Sequence, residues 1–142
     1  MNENIKSAIS KFDSENVLGS VELFSKQCEL AWGSASENKN HKDVKNILVC
    51  GMGGSALGAY ILQSLNIFTV PITMSHDYNI PAWVGEGTLV LAMSYSGGTE
   101  ETLSASQKAI ERNAEVIVIT VGGELKNIAE KMLSIGLNSF SQ

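Results

Sequence analysis

Two short stretches carry the residue types and spacing needed to hold an anion. The first is Gly51-Met52-Gly53-Gly54-Ser55-Ala56-Leu57-Gly58, and the second is Ser94-Tyr95-Ser96-Gly97-Gly98-Thr99-Glu100-Glu101-Thr102. Gly53, Gly54, Ser55, Ser94, Ser96 and Thr99 are the candidate ligand-holding residues. Glycines let the backbone turn its N–H groups inward. Hydroxyls add donors, and a helix starting just past each loop adds unpaired N–H groups and the positive end of its dipole. Hydrogen bonds to a charged group contribute about 1.5–3 kcal/mol each. Four such donors hold a dianion at about micromolar strength without an arginine, after the association cost.

Composition narrows the partners. The 142 residues suggest one main domain; 44% are hydrophobic and 18% charged, with a net charge of −5. Arg112 is the sole arginine, so no basic stripe for nucleic acid is present. No apolar run approaches the roughly 18 residues of a membrane span, and the polar N-terminus lacks a signal-peptide core. A cytoplasmic protein is expected. His41 and His76 stand 35 positions apart and offer no metal spacing. Neither a metal nor a cofactor is expected. Cys28 and Cys50 read as buried, inert thiols rather than a disulfide framework.

The elements that must position these loops follow from periodicity. Val17, Val21, Phe24, Cys28 and Ala31 share one face, which predicts a helix over residues 14–32 with Ser14 as N-cap. Residues 33–43 read as a polar linker, with His41 solvated, so residues 1–43 form an N-terminal helix and linker. From Val44 onward the pattern is strand, loop, helix, repeated. Strands are expected at Val44–Cys50, Val70–Met74, Leu89–Met93 and Val116–Val121, with Leu133–Leu137 a candidate fifth. Helices are expected at Ser55–Leu65, Thr99–Asn113 and Glu124–Met132, the second with Leu103 and Ile110 seven apart on one face. Asp77–Pro81 is a loop, since Pro81 cannot donate to a ladder. Alternation of this kind implies a parallel sheet with helices on both faces, an α/β domain over 44–142. Right-handed crossovers put all strand C-termini, and hence both glycine loops, on one edge.

Three readings of the loops compete. Turn chemistry and helix capping explain one loop but poorly explain two that converge. A dinucleotide site is the rival: Gly51-x-Gly53-x-x-Ala56 follows a strand and opens a helix, and Asp77 lies 26 positions after Gly51. That reading leaves the Ser94–Thr99 loop unexplained. The third reading is an anion held between both loops. Within it, Glu100 and Glu101 must point away from a phosphate, or one of them must position a sugar hydroxyl.

At these residues the chain resembles the sugar isomerase (SIS) domain family, and looks most like the N-terminal SIS domain of bifunctional phosphoglucose/phosphomannose isomerases. Gly51, Gly53, Gly54, Ser55 and Gly58 meet the family's first motif. Ser94 to Thr102 meet its second, Ser-Tyr-Ser-Gly-Asn-Thr-Glu-Glu-Thr, with Gly98 in place of asparagine. Asp77-Tyr78-x-x-Pro81 also matches, with His76 where arginine is common. The resemblance implies a three-layer αβα sandwich around a five-stranded parallel sheet, akin to flavodoxin and Rossmann folds. It implies that Gly53, Gly54, Ser55, Ser94, Ser96 and Thr99 surround a sugar phosphate such as glucose 6-phosphate or mannose 6-phosphate. It further implies interconversion with fructose 6-phosphate through a cis-enediol. The family's catalytic glutamate, histidine and lysine lie beyond the first SIS domain, so no catalytic residue is assigned here. Full-length members carry two SIS domains, which makes this chain an expected fragment, inactive alone, that pairs with a second SIS domain or forms a homodimer. SIS domains also serve as phosphosugar-sensing modules of transcription regulators, a second class of function; no basic helix pair precedes the domain here.

Overall fold

The computed structural model describes residues 2–34 and 43–134. The chain divides into two compact units, Met1–Asn40 and His41–Gln142.

The first unit contains three helices: α1 (Glu3–Phe12), α2 (Val17–Glu22) and α3 (Phe24–Ser34). The sequence pattern had no helix at α1, although Ile5, Ala8, Ile9 and Phe12 carry helical spacing. Asn2 caps it through Oδ1, which accepts the Asn4 N–H at 3.1 Å. The helix predicted over 14–32 is instead two helices broken at Leu23. Its N-cap is not Ser14. The Asp13 carboxylate accepts the N–H groups of Val17 at 2.6 Å and Leu18 at 3.0 Å, satisfying donors at the start of α2. The apolar stripe of Val17, Val21 and Phe24 is exposed, and so is Cys28, against the expectation of a buried thiol. Helical periodicity places these residues on one face; it does not supply anything to cover that face.

The second unit is a four-stranded parallel sheet, β1 (Asn46–Gly51), β2 (Ile72–Ser75), β3 (Thr88–Met93) and β4 (Glu115–Ile119), in the order β2-β1-β3-β4. Three helices join it: α4 (Gly54–Leu65), α5 (Glu100–Glu111) and α6 (Gly123–Ser134). The fold is therefore a layered α/β sandwich, as the pattern predicts. The expected fifth strand is absent among the described residues: α6 runs on to Ser134, and residues 135–142 lie outside them, as does His41.

The continuous apolar run of β1 is buried on both faces. Leu48 and Cys50 join a core with Val90, Ala92, Val116, Val118 and residues of α5 and α6. Ile47 and Val49 point the other way, to Ala59 of α4. Burial pushes the Cys50 thiol up to about 12. Small residues bring the helices close to the sheet. Ala56 and Ala59 are the buried residues of α4, and Thr102, Ala105, Ser106 and Ala109 those of α5. Leu103 and Ile110, on one face as expected, pack against the margin of this core and are partly buried. A helix seated on a sheet through small side chains leaves its large ones at the margins.

No helix among the described residues is long and apolar enough to cross a membrane.

Candidate functional site

Strand registers align the ends of the sheet. Gly51 pairs with Met93, and Met93 with Ile119, while Cys50 pairs with Ser75. The segments leaving β1, β3 and β4 therefore start from one edge. Strand order reverses between β1 and β3, with α4 and α5 on opposite faces, which is where open α/β sheets form their ligand crevice.

The two predicted loops meet there. The backbone N–H of Tyr95 donates to Ser55 Oγ at 3.3 Å, joining loops 40 residues apart in sequence. A cleft of about 590 Å³ opens between them, lined by Gly54, Ser55, Ser94, Tyr95 and Thr120 among others. Gly54, Ser55 and Ser94 thus line the cleft directly. Thr99 stands behind Ser94, their hydroxyls 2.8 Å apart. Ser94 Oγ also accepts the Gly97 N–H at 3.1 Å, and Ser96 Oγ accepts the Gly98 N–H at 3.3 Å. Gly53 and Ser96 are exposed in the same two loops but are not part of the cleft wall. Neither α4, with Gly53 at its N-cap, nor α5, with Thr99, has a side-chain cap. Their first N–H groups remain free of capping side chains, the arrangement a bound anion uses.

A third loop was missed by the sequence reading. Thr120 lines the cleft, and its Oγ1 donates to the Gly122 carbonyl at 2.9 Å. The Thr120–Gly123 segment locks onto the Ser94–Thr99 loop. Val121 N–H donates to Tyr95 O at 3.2 Å, and Leu125 N–H to Gly97 O at 2.9 Å. Gly97 and Gly123 both have φ of +69°; a Cβ on Gly97 would lie 1.7 Å from Gly122 O, and one on Gly123 2.4 Å from Ser96 O. Both glycines are dictated by space as well as by φ. The signal was there: threonine, then a glycine pair, directly after an apolar strand.

Residues outside the cleft wall tie the neighbouring segments together. His76 follows β2; its Nδ1 lies 2.7 Å from Gly51 O and its Nε2 2.5 Å from the Tyr60 hydroxyl. The carbonyl can only accept, so Nδ1 donates to it. Asp77 Oδ1 accepts the Asn79 N–H at 3.1 Å, a local turn. Glu100 Oε2 accepts the Tyr78 hydroxyl at 3.0 Å. That bond, and then the charge of Glu101, holds the Tyr78 phenol above its ordinary range. Further along α5, Ser104 Oγ and Lys108 Nζ donate to Tyr78 O at 2.9 and 2.8 Å. Past its end, Arg112 donates to Pro81 O at 2.8 Å. Glu100, Ser104, Lys108 and Arg112 recur every fourth residue, so one stripe of the helix grips the 78–81 loop.

With this geometry in place, comparison with known proteins is decisive about kinship. Residues 42–135 match the SIS domain family. The chain belongs to that family. Among its relatives, a bifunctional phosphoglucose/phosphomannose isomerase of Caldicellulosiruptor bescii is 42% identical over 119 residues, covering 82% of this chain and 35% of that protein. The corresponding Aquifex aeolicus protein is 38% identical over 120 residues, with 82% and 36% covered. A D-glucosamine-6-phosphate 4-epimerase of Sulfolobus acidocaldarius is 40% identical over 90 residues, with 63% and 28% covered. This chain thus spans about a third of the length of the relatives it matches. A crystal structure of a Salmonella typhimurium LT2 protein, named as a candidate phosphosugar isomerase, shares the fold. It aligns with a TM-score of 0.51 at 21% identity, over 61% of this chain and 28% of that one.

Proposed function

We propose that this SIS domain binds a hexose 6-phosphate, with the phosphate at the junction of the β1–α4 and β3–α5 loops, and serves as the first domain of an aldose–ketose isomerase. The observation that carries the reading is the Tyr95-to-Ser55 hydrogen bond. It joins two hydroxyl- and glycine-bearing loops at the crevice where strand order reverses. Gly53, Gly54 and Ser55 and the start of α4 face the phosphate from one side. Ser94, Ser96 and Thr99 and the start of α5 face it from the other. On binding, the Ser94 and Thr99 hydroxyls exchange their mutual bond for phosphate oxygens. Relatives named as phosphoglucose/phosphomannose isomerases support the hexose phosphate.

Isomerisation needs a base to carry a proton between C1 and C2. No carboxylate, imidazole or amine lines the cleft among the described residues. We infer that this domain binds substrate without turning it over, and that a second SIS domain or a second copy completes the site.

The test is a thermal-shift titration with glucose 6-phosphate, plain glucose and NAD, alongside a progress curve with fructose 6-phosphate. A ligand specific for the folded state raises the melting temperature. Stabilisation by glucose 6-phosphate and not by glucose is the expected result, with no turnover. Stabilisation by NAD alone would replace this reading with the dinucleotide one.

A further inference from the structure

Tyr95 combines a fixed backbone with a free side chain. Both of its backbone groups are engaged, the N–H by Ser55 Oγ and the carbonyl by the Val121 N–H. Ser94 before it and Gly97 after it are buried, yet the Tyr95 side chain is 77% exposed while lining the cleft. Met93, Ile119 and Val121 continue the same wall, and it is apolar. A site whose only work was to hold a phosphate would have no use for an apolar wall next to its hydroxyls. A pyranose ring does have one: its hydroxyls lie around the rim, and its C–H groups form an apolar face that packs on an aromatic ring. The cleft, at about 590 Å³, is in the range of small-molecule sites.

We propose that Tyr95 determines specificity at this site by stacking on the C–H face of the sugar, so that the domain selects cyclic sugar phosphates over short-chain phosphate esters. The proposal rests on the phosphosugar reading above and adds to it the discrimination between ligand bodies. Because the backbone of Tyr95 makes the inter-loop bonds, replacing its exposed side chain leaves the anion site in place.

The experiment is calorimetric titration of inorganic phosphate, glycerol 3-phosphate and glucose 6-phosphate into the wild-type chain, Tyr95→Phe and Tyr95→Ala, with melting temperature as the folding check. The wild type is expected to favour glucose 6-phosphate over glycerol 3-phosphate by about tenfold, the worth of burying a few C–H groups. Tyr95→Phe keeps that ratio. Tyr95→Ala loses most of it while its affinity for inorganic phosphate stays within about twofold. An unchanged ratio in Tyr95→Ala, or an equal loss for all three ligands, overturns the assignment. So does a wild type that binds phosphate but shows no preference, which leaves the anion site standing. A wild type that binds none of the three removes the phosphosugar reading itself, and the role of Tyr95 with it.

Discussion

In the sheet unit, Leu48, Val90 and Val116 are sealed between strands and helices, while in the N-terminal helices Phe12, Val21, Phe24 and Trp32 stand exposed. Both regions have apolar residues at the right period. The difference lies in what their neighbours do. The central strands β1 and β3 present alternate residues to two layers, so every apolar side chain of β1 meets a packed surface. The N-terminal helices have amphipathic faces, but α1 and α2 bury no residue. Periodicity is a property of one element, and burial is a property of at least two.

Substitutions and titrations in the two regions test this contrast. The largest effect is expected at Leu48, which is fully buried: Leu48→Ala costs about 2–5 kcal/mol of stability, whereas Phe24→Ala in the exposed unit costs less than about 0.5 kcal/mol, both by urea denaturation. A comparable loss from both would mean the helical unit is as well covered as the sheet. Next is Gly97→Ala, where a Cβ meets Gly122 O and φ is positive; a cost of about 3 kcal/mol is expected from overpacking plus left-handed strain. Gly58→Ala, on a helix with open space around it, should be neutral or slightly stabilising.

The two cysteines report the same contrast chemically. Cys28 should react promptly with a thiol reagent at pH 8, and Cys50 only as the protein unfolds. The Cys50 thiol is raised in the fold from about 9 to about 12. Its contribution to stability is complete below pH 9, where both states are protonated. It declines between pH 9 and 12 as the unfolded chain releases a proton that the folded one keeps. A denaturation series across that window, with Cys50→Ala as the reference, tests the slope. The smallest effect is at Tyr78: Glu100→Gln should move the phenol's absorbance titration down toward the ordinary tyrosine value, since the hydrogen bond to Glu100 is the leading cause of its shift.

The strand–helix alternation and the convergence of two loops were legible because a parallel sheet leaves one edge for every strand C-terminus. Ser55, Ser94 and Gly54 could be picked as cleft residues from type and position alone. Thr120 reads in sequence as part of the strand, because its place in the cleft depends on the fit of Gly97 against Gly122, a contact between segments about 25 residues apart. The fully buried face of α5 could not be read from apolarity alone. Leu103 and Ile110 are the most apolar residues of the helix, but the sheet leaves room only for Thr102, Ala105, Ser106 and Ala109. The break at Leu23 leaves no composition signal, since neither glycine nor proline marks it.

The grip of α5 on the 78–81 loop has a consequence for how this gene can change length. Glu100, Ser104, Lys108 and Arg112 reach one loop only because they recur at four-residue intervals. Inserting or deleting a single residue within the helix rotates everything beyond it by about 100°. Substitutions along the helix can be tolerated one at a time, but a one-codon indel would detach several of these bonds together. Variation in length across SIS domains is therefore expected to accumulate outside α5.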